Sequence, residues 1–465
     1  MSKTHILLIK FLLVALSVSF ASSYSFASNP GPITLDNLQY FKSPSKSWTE
    51  AGDVNADYRT VGNIRIQPGS GVLVNLPTKK NVGEDLFTEQ EFGDVDIELD
   101  YLMVRGGNSG IYLQGRYEVQ LEDSWSAKTV HAGSNGGIYA LSAPRFNASK
   151  APGLWQHIKI SFQAPRFDGS GNKVSNARIL SVVLNGVLIQ ENVELAHPTP
   201  GAISEQEVAT APLRIQGDHG AVAYKNIVIA DNPNRETKEG WRSADPIWVE
   251  ASQTPILRSF MDIPGAPKVV HAVSVGNPSG VHYTYDLDHG LLVQAWRGGF
   301  LDATPMWDNR GNGTSRPLGT VQVFTANKLQ VARLSGSDAV WPADTVGSGF
   351  RTKGYNVDSD RVPTFNYELY GSKVSDRTDV LDGGTKLHRE ISLEGASISQ
   401  EDLYVLVAED KLIKELGKNE YIIGDKSYYI QLDLAKKGKA LIRESDGKKQ
   451  LLVKLDSRVS YTIIL

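Results

Sequence analysis

The sequence predicts an all-β chain, with a jelly-roll sandwich first and a second β-sandwich after it. Three observations carry that expectation. Segment after segment alternates apolar and polar side chains with a period of two, as a strand with one buried face requires. The 43 glycines and 21 prolines punctuate nearly every such segment, which marks closely spaced turns. No long amphipathic helix can be drawn in the first 235 residues. Closely spaced strands with turn signals and no helices leave a sandwich or jelly roll as the architecture.

The chain has 465 residues, of which 41% are hydrophobic, enough for more than one core. Residues 1–27 read as a secretory signal. Lys3 and Lys10 are basic, "ILLIKFLLVALSVSF" is apolar, and Ser25 and Ala27 are small. Lys10 interrupts the apolar run, which falls short of the ~20 residues of a membrane span. Removing this segment takes two lysines and no acids, so the formal charge moves from −4 to −6. That mild charge carries no basic patch for nucleic acid or an anionic membrane. There are no cysteines, which excludes disulfides, thiolate catalysis, Cys-ligated zinc and attached c-type haem. Export without disulfides fits a bacterial periplasm.

Residues 28–231 form the expected first domain. "DVDIELDYLMV" (94–104) places Val95, Ile97 and Leu99 on one face and Asp94, Asp96, Glu98 and Asp100 on the other. "HIKISF" (157–162), "ARILSVVLNGVLIQ" (177–190) and "AVAYKNIVIA" (221–230) repeat the period. Asn185-Gly186 predicts a two-residue hairpin turn, because both residues tolerate positive φ. The polar stretch 232–246 reads as a linker. From 247 to 465 strand signals resume, through "GVHYTYDLDHGLLVQAW", "TFNYELYG" and "DLYVLVAED" to "SYTIIL".

The candidate site lies in "GGNSGIYLQGRYEVQLEDSW" (106–125). Alternation sends Ile111, Leu113, Val119 and Leu121 inward. It sends Asn108, Tyr112, Gln114, Glu118, Gln120 and Glu122 outward. In "LRIQGDHG" (213–220), Arg214 and Gln216 face outward, and Asp218 and His219 follow the strand. If these strands are neighbours, one surface collects carboxylates, amides, an imidazole, an arginine and an aromatic ring. Sugars, with many hydroxyls and patchily apolar rings, are gripped by such groups. The same inventory also suits the wet face of an antiparallel sheet. Asp96, Glu98 and Asp100 stand about 7 Å apart in one row, but their pattern lacks the Glu-x-Asp-x-x-Glu of laminarinase-type glycosidases and reads as a solvated strand.

Taken in order, GNSGIY, YEVQ-x-x-D, the strand that begins at Trp155, LNG, and Q-x-x-HG followed by KNI resemble the bacterial 3-keto-disaccharide hydrolase domain family, over residues 33–231. The chain departs from that pattern at Gln156 and in the longer insert 164–177. The resemblance implies a concanavalin-like, laminarinase-like jelly roll whose concave sheet holds a 3-keto-glycoside. It implies proton abstraction at C2 and loss of the aglycone from C1, with water completing an apparent hydrolysis. It carries over to Asn108, Glu118, Gln120, Asp123, Gln216, His219 and Lys225. The expected catalytic residues are His219, Glu118 and Asp123. Asn108, Tyr112, Gln120, Arg214, Gln216 and Lys225 are the expected substrate ligands. No cofactor is required. Glu118, Glu122 and Asp123 are hard oxygen donors of the kind Ca2+ takes, though their spacing matches no defined loop. A non-catalytic sugar-binding sheet and a direct glycosidase remain open beside this reading.

"YDLDHGLLVQAWRGGFLD" and "MWDNRG" (285–311) resemble a domain found in large secreted bacterial proteins. Trp296, Arg297, Asp302, Trp307, Asp308 and Arg310 there could form a second sugar site, or could fill a core and tie loops.

Overall fold

The computed structural model describes residues 32–231, 245–307, 313–326, 328–336, 338–394, 402–434 and 438–465. The signal segment 1–27 and most of the linker lie outside the described residues. So do Asp308 and Arg310.

The first half is a two-sheet sandwich. Its large sheet runs in the order Val187–Leu195, Ala177–Leu184, Trp155–Gln163, Val95–Met103, Val222–Asp231, Ile64–Asn75, Trp48–Ala56, with Ile33–Thr34 added beside Val222–Asp231. Its small sheet runs Leu86–Phe92, Ala211–Ile215, Asn108–Leu113, Tyr117–Glu122. The two pack face to face. Val95, Ile97 and Leu99 from one sheet share a buried cluster with Ile111, Val119, Leu121, Leu213 and Ile215 from the other. The alternation therefore assigned the inward residues of both sheets. Asn185 and Gly186 take φ of 50° and 85° between the paired ends Leu184 and Val187, as the hairpin signal required.

The acidic row of Val95–Met103 faces outward from the large sheet and is matched by bases. Lys159 meets Glu98 at 2.9 Å, and His157 lies 2.7 Å from Asp100. It is a cross-strand charge ladder, not a pair of glycosidase carboxylates.

The second half is all-β as expected, and it adds a closed barrel to the sandwich. Ile256–Met261, Val269–Val275, Val281–Asp286 and Leu291–Asp302 form an antiparallel meander. Thr314–Val323 then pairs antiparallel with Leu291–Asp302 and parallel with Ile256–Met261. Five strands cannot close with every seam antiparallel, so one seam is parallel. Alternation could not foresee the barrel, because its wall is apolar on both sides. Val293 and Trp296 fill the interior, while Leu292 and Ala295 join the core of the remaining strands. Those strands form an eight-stranded and a four-stranded sheet.

The supposed second sugar site is dispersed. Trp296 is fully buried in the barrel and donates to the carbonyls of Gly299 and Phe300. Arg297 is buried and donates to the carbonyl of Trp125, 3.0 Å away. Trp307 is 62% exposed at the end of a single helical turn.

The halves meet through the outer face of the large sheet and the loops beyond Glu122. Tyr58, Trp125 and Leu154 share a buried cluster with Ile422, Tyr429 and Ile464. Lys426 reaches Asp53 at 2.6 Å.

Candidate active site

The small sheet brings most of the expected residues together on its outer face. Its register places Phe87, Arg214, Tyr112 and Glu118 side by side across four strands. Residues directly opposite in a ladder share a face, and their neighbours Ile111, Val119 and Ile215 are core. The next row holds Gly110 opposite Gln120, with the Gln216 amide donating to the Gly110 carbonyl at 2.9 Å. Asn108 accepts from the Gln120 side chain at 3.0 Å.

Glu118 is the centre. Its side chain leans diagonally over Gly110, where a Cβ would stand 2.3 Å from Oε1. A glycine within a strand marks such a close approach. The residue is 2% exposed. Burial pushes the carboxyl up to about 7, against a hydrogen bond from Tyr112 and the charges of Arg214 and His219, while Asp218 adds to the rise. Burial and the adjoining Glu118 hold the Tyr112 phenol far above its ordinary value, so it stays a donor. The Arg214 guanidinium lies 3.5 Å from the centre of the Tyr112 ring.

His219 projects from the loop after Ala211–Ile215, and its Nδ1 lies 2.5 Å from Asp218. Two residues fix that loop. Asn75 donates to the carbonyls of Gly217 and Gly220 at 2.6 and 3.0 Å. Asp85 accepts from the Gly217 amide at 2.9 Å and lies 3.4 Å from Arg214 Nε. Two buried polar atoms here, Arg214 Nε and Gln216 Oε1, have no hydrogen-bond partner. Buried polar atoms without a hydrogen bond, as Gln216 Oε1 is here, are uncommon and often mark functional sites.

Two expected residues do not belong to this group. Asp123 lies beyond Glu122, which is itself about 13 Å along the strand from Glu118. Its oxygens accept backbone amides of Gly106 at 2.8 Å and Trp125 at 3.3 Å, so it ties a turn. Lys225 projects from the outer face of the large sheet, on the opposite side of the sandwich. There it lies 2.5 Å from Asp425 and 4.2 Å above the Trp155 ring. The YEVQ-x-x-D and KNI motifs placed both in sequence but could not say on which side of the sandwich they emerge. The proposed carboxylate set for Ca2+ also fails to converge. Glu122 accepts from Ser124 at 2.8 Å, and among the described residues no group of three or more acidic, His or Cys side chains is placed to hold a metal.

Sequence reasoning missed Asp85, Gly110, Asp218 as the partner of His219, and Tyr139. The Val119–Ile138 bridge, with Tyr139 donating to the Glu118 carbonyl at 3.2 Å, sets Tyr139 opposite Glu118. Gly110 carried a signal, as a glycine inside an alternating strand. Asp85 carried none, because it precedes its strand in a loop.

The departures at Gln156 and in the insert lie away from Glu118. Gln156 Oε1 accepts from the Lys150 amide and the Asn185 side chain at one end of the sandwich. In the insert, Lys173 pairs with Glu207, which accepts from Tyr117 at 2.5 Å and so braces the loop leading into Ala211–Ile215.

The small sheet sets a desolvated acid amid side chains of the kind that hold sugars. Residues 37–230 match the family model of the 3-keto-alpha-glucoside-1,2-lyase-like domain, as the resemblance implied. No curated protein matches the chain. Among solved structures, a candidate glycosyl hydrolase of Parabacteroides distasonis is 27% identical, with 43% of this chain and 84% of that one covered and a TM-score of 0.33. A second from the same organism is 19% identical, with 44% and 100% covered and a TM-score of 0.31.

Proposed function

We propose that the first sandwich cleaves 3-keto-glycosides by elimination at C1–C2. The observation that carries this is Glu118, a buried carboxyl poised near neutrality beside the Asp218–His219 pair and Arg214. A base works best when its pKa lies near the working pH, and burial supplies that here.

The C3 ketone makes the C2 hydrogen acidic. Glu118 as carboxylate takes that proton, and charge spreads onto the ketone oxygen, where the Arg214 charge and the Tyr112 hydroxyl favour it. The C1–O bond then breaks, the C1=C2 double bond forms, and the leaving oxygen takes a proton from His219. Asp218 orients the imidazole for this transfer. Water adds to the resulting enone at C1, a proton returns to C2, and the net outcome is hydrolysis. Halting before that addition makes the domain a lyase.

One observation favours a second reading. Asp218 is close enough to Glu118 to raise its pKa, so the two could act as acid and partner carboxylate in direct glycoside hydrolysis. Incubating the protein with a disaccharide and with its 3-keto form separates the two. Under the elimination reading only the keto form turns over, and kcat/KM climbs about tenfold per pH unit on the acid side of about pH 7. Turnover of the unoxidised sugar, on a limb that falls as Glu118 loses its proton, would establish the hydrolase. Binding of either sugar without turnover would make the sheet a lectin-like surface.

A further inference from the structure

We propose that a cleft on the outer wall of the barrel, between Trp248 and Phe146, binds a methylated ammonium head group such as that of choline. The proposal does not rest on the elimination reading. The cleft is a cavity of about 230 Å3 where the two halves meet. That is below the roughly 300–1,000 Å3 of sites that enclose drug-sized molecules, so it suits a single head group.

The strand Leu291–Asp302 supplies its floor. Phe300 turns into the barrel core, so Gly299 before it lies on the outer face. On one side of that strand Leu318 pairs opposite Gly299, and Phe146 rests against both. A Cβ on Gly299 would stand 2.9 Å from the Phe146 ring and 3.0 Å from Leu318. Phe146 reaches across from the first sandwich, where it packs against the core. On the other side Trp248 and Val249 pair with Asp302 and Leu301. Val249 packs against the barrel core, so Trp248 and Glu250 turn outward onto the cleft. The two strands that flank a third lie about 10 Å apart, which holds the two aromatic walls away from each other. Trp248 is 44% exposed at the rim.

The polar lining is sparse and acidic. Among the described residues Glu250 is the only charged side chain on the cleft, so its carboxylate meets no base there. His282 beneath is neutral, because burial pushes it down to about 4. Its Nδ1 accepts the Asn277 amide at 3.0 Å, and its Nε2 donates to the Gly298 carbonyl at 3.1 Å. The carbonyls of Gly299 and Phe300 already accept from the Trp296 indole, and that of Gly280 accepts the Gly298 amide at 2.9 Å. Asn277 Oδ1 takes the amide and hydroxyl of Ser279. The walls thus offer a ligand few hydrogen bonds beyond Glu250 and the Asn277 amide nitrogen. A sugar there would lose water from most of its hydroxyls without replacing those bonds, at a cost for each. A neutral apolar group would gain nothing from Glu250. A methylated ammonium meets both conditions. Its surface is methyl groups, it has no N–H to satisfy, and its charge is drawn to aromatic faces and to a carboxylate.

Ligand-observed NMR titration of the full chain at fixed ionic strength tests this. The probes are choline, its neutral isostere with a tert-butyl group in place of the trimethylammonium, and glucose. Choline should bind saturably and about tenfold more tightly than the isostere. W248A should weaken choline about tenfold, and W248F much less, since phenyl keeps an aromatic face. E250Q should bring choline down toward the isostere. Trp248 and Glu250 are both exposed, so these changes leave the fold intact. Equal affinity for choline and its isostere would overturn the assignment to a cation. Glucose binding that W248A removes would make the cleft a sugar site instead. Choline binding unchanged in W248A and E250Q, or no saturable binding, would overturn the site itself.

Discussion

The two outer faces of the first sandwich hold similar residues and behave in opposite ways. On the large sheet, Asp96, Glu98 and Asp100 alternate along one strand, with His157 and Lys159 on the next. On the small sheet, Glu118, Gln120 and Glu122 alternate in the same manner, with Arg214 and His219 nearby. Glu98 and Asp100 of the large sheet are paired with bases. Burial raises Asp100, but hydrogen bonds from His157 and Asn226 outweigh it and leave the carboxyl below its usual value. Glu118 is desolvated without a salt bridge, and its carboxyl rises to about 7. Residue type does not separate the faces. What separates them is that the large-sheet carboxylates meet a base at salt-bridge distance, whereas at Glu118 burial outweighs the pull of Arg214 and His219.

The largest expected effect follows directly. E118Q keeps the shape of the side chain and its contact over Gly110 but cannot accept a proton. Turnover of a 3-keto-disaccharide should fall at least about a thousandfold, with binding retained in calorimetry. H219A should lose about a hundredfold, less for aglycones that leave readily without a proton. Replacing Asp100 by Asn should leave turnover alone. Were D100N as damaging as E118Q, the contrast between the faces would collapse.

Much of this contrast was legible in the sequence, and its limits are physical. Period-two alternation gave the inward residues and the outward set that includes Tyr112, Glu118 and Arg214, and the tolerance of Asn185 and Gly186 for positive φ gave their turn. It could not tell which sheet a strand joins, so Lys225, outward like Arg214, emerged on the wrong side. Nor could spacing reveal that Asp123 would meet two backbone amides, because that depends on how the chain turns after Glu122. The barrel was hidden for a related reason, since a strand buried on both faces shows no alternation.

A second effect sharpens the comparison through stability. Glu118 has a raised folded pKa, so the unfolded chain gives up this proton first. Its contribution to stability is present below about pH 4.5 and lost as pH rises through about 7. The loss is at most about 3 kcal/mol, at 1.36 kcal/mol per unit. E118Q should therefore be more stable than the wild type at pH 8, by up to that amount, with the difference shrinking below pH 5. Asp100 has the opposite sign. Its lowered pKa favours folding above the usual carboxylate range and is lost on acidification, so D100N should cost about 1 kcal/mol at pH 6 and little near pH 3. His157, raised by its bond to Asp100, adds stability that fades as pH climbs through its folded pKa. Chemical denaturation across pH 3 to 8 reads all three, and matching slopes for E118Q and D100N would show that the two acids are not differently held.

The smallest effect belongs to Lys225, and it tests the correction most sharply. Its ammonium sits 4.2 Å above Trp155 and 2.5 Å from Asp425, on the face that meets the second half. Asp425 is more than half exposed, so solvent screens the pair and the measurable share comes mostly from the ring contact. K225A should cost about 1 kcal/mol in denaturation and change neither kcat nor KM for any glycoside. Charge reversal at both ends, K225D with D425K, should recover the ion pair but not the contact with Trp155. A fall in kcat for K225A with stability unchanged would mean that the lysine reaches the substrate after all. Glu118 and Lys225 would then have to share one surface, which the register of the two sheets forbids, because each lies on the side of its own strand that faces away from the common core.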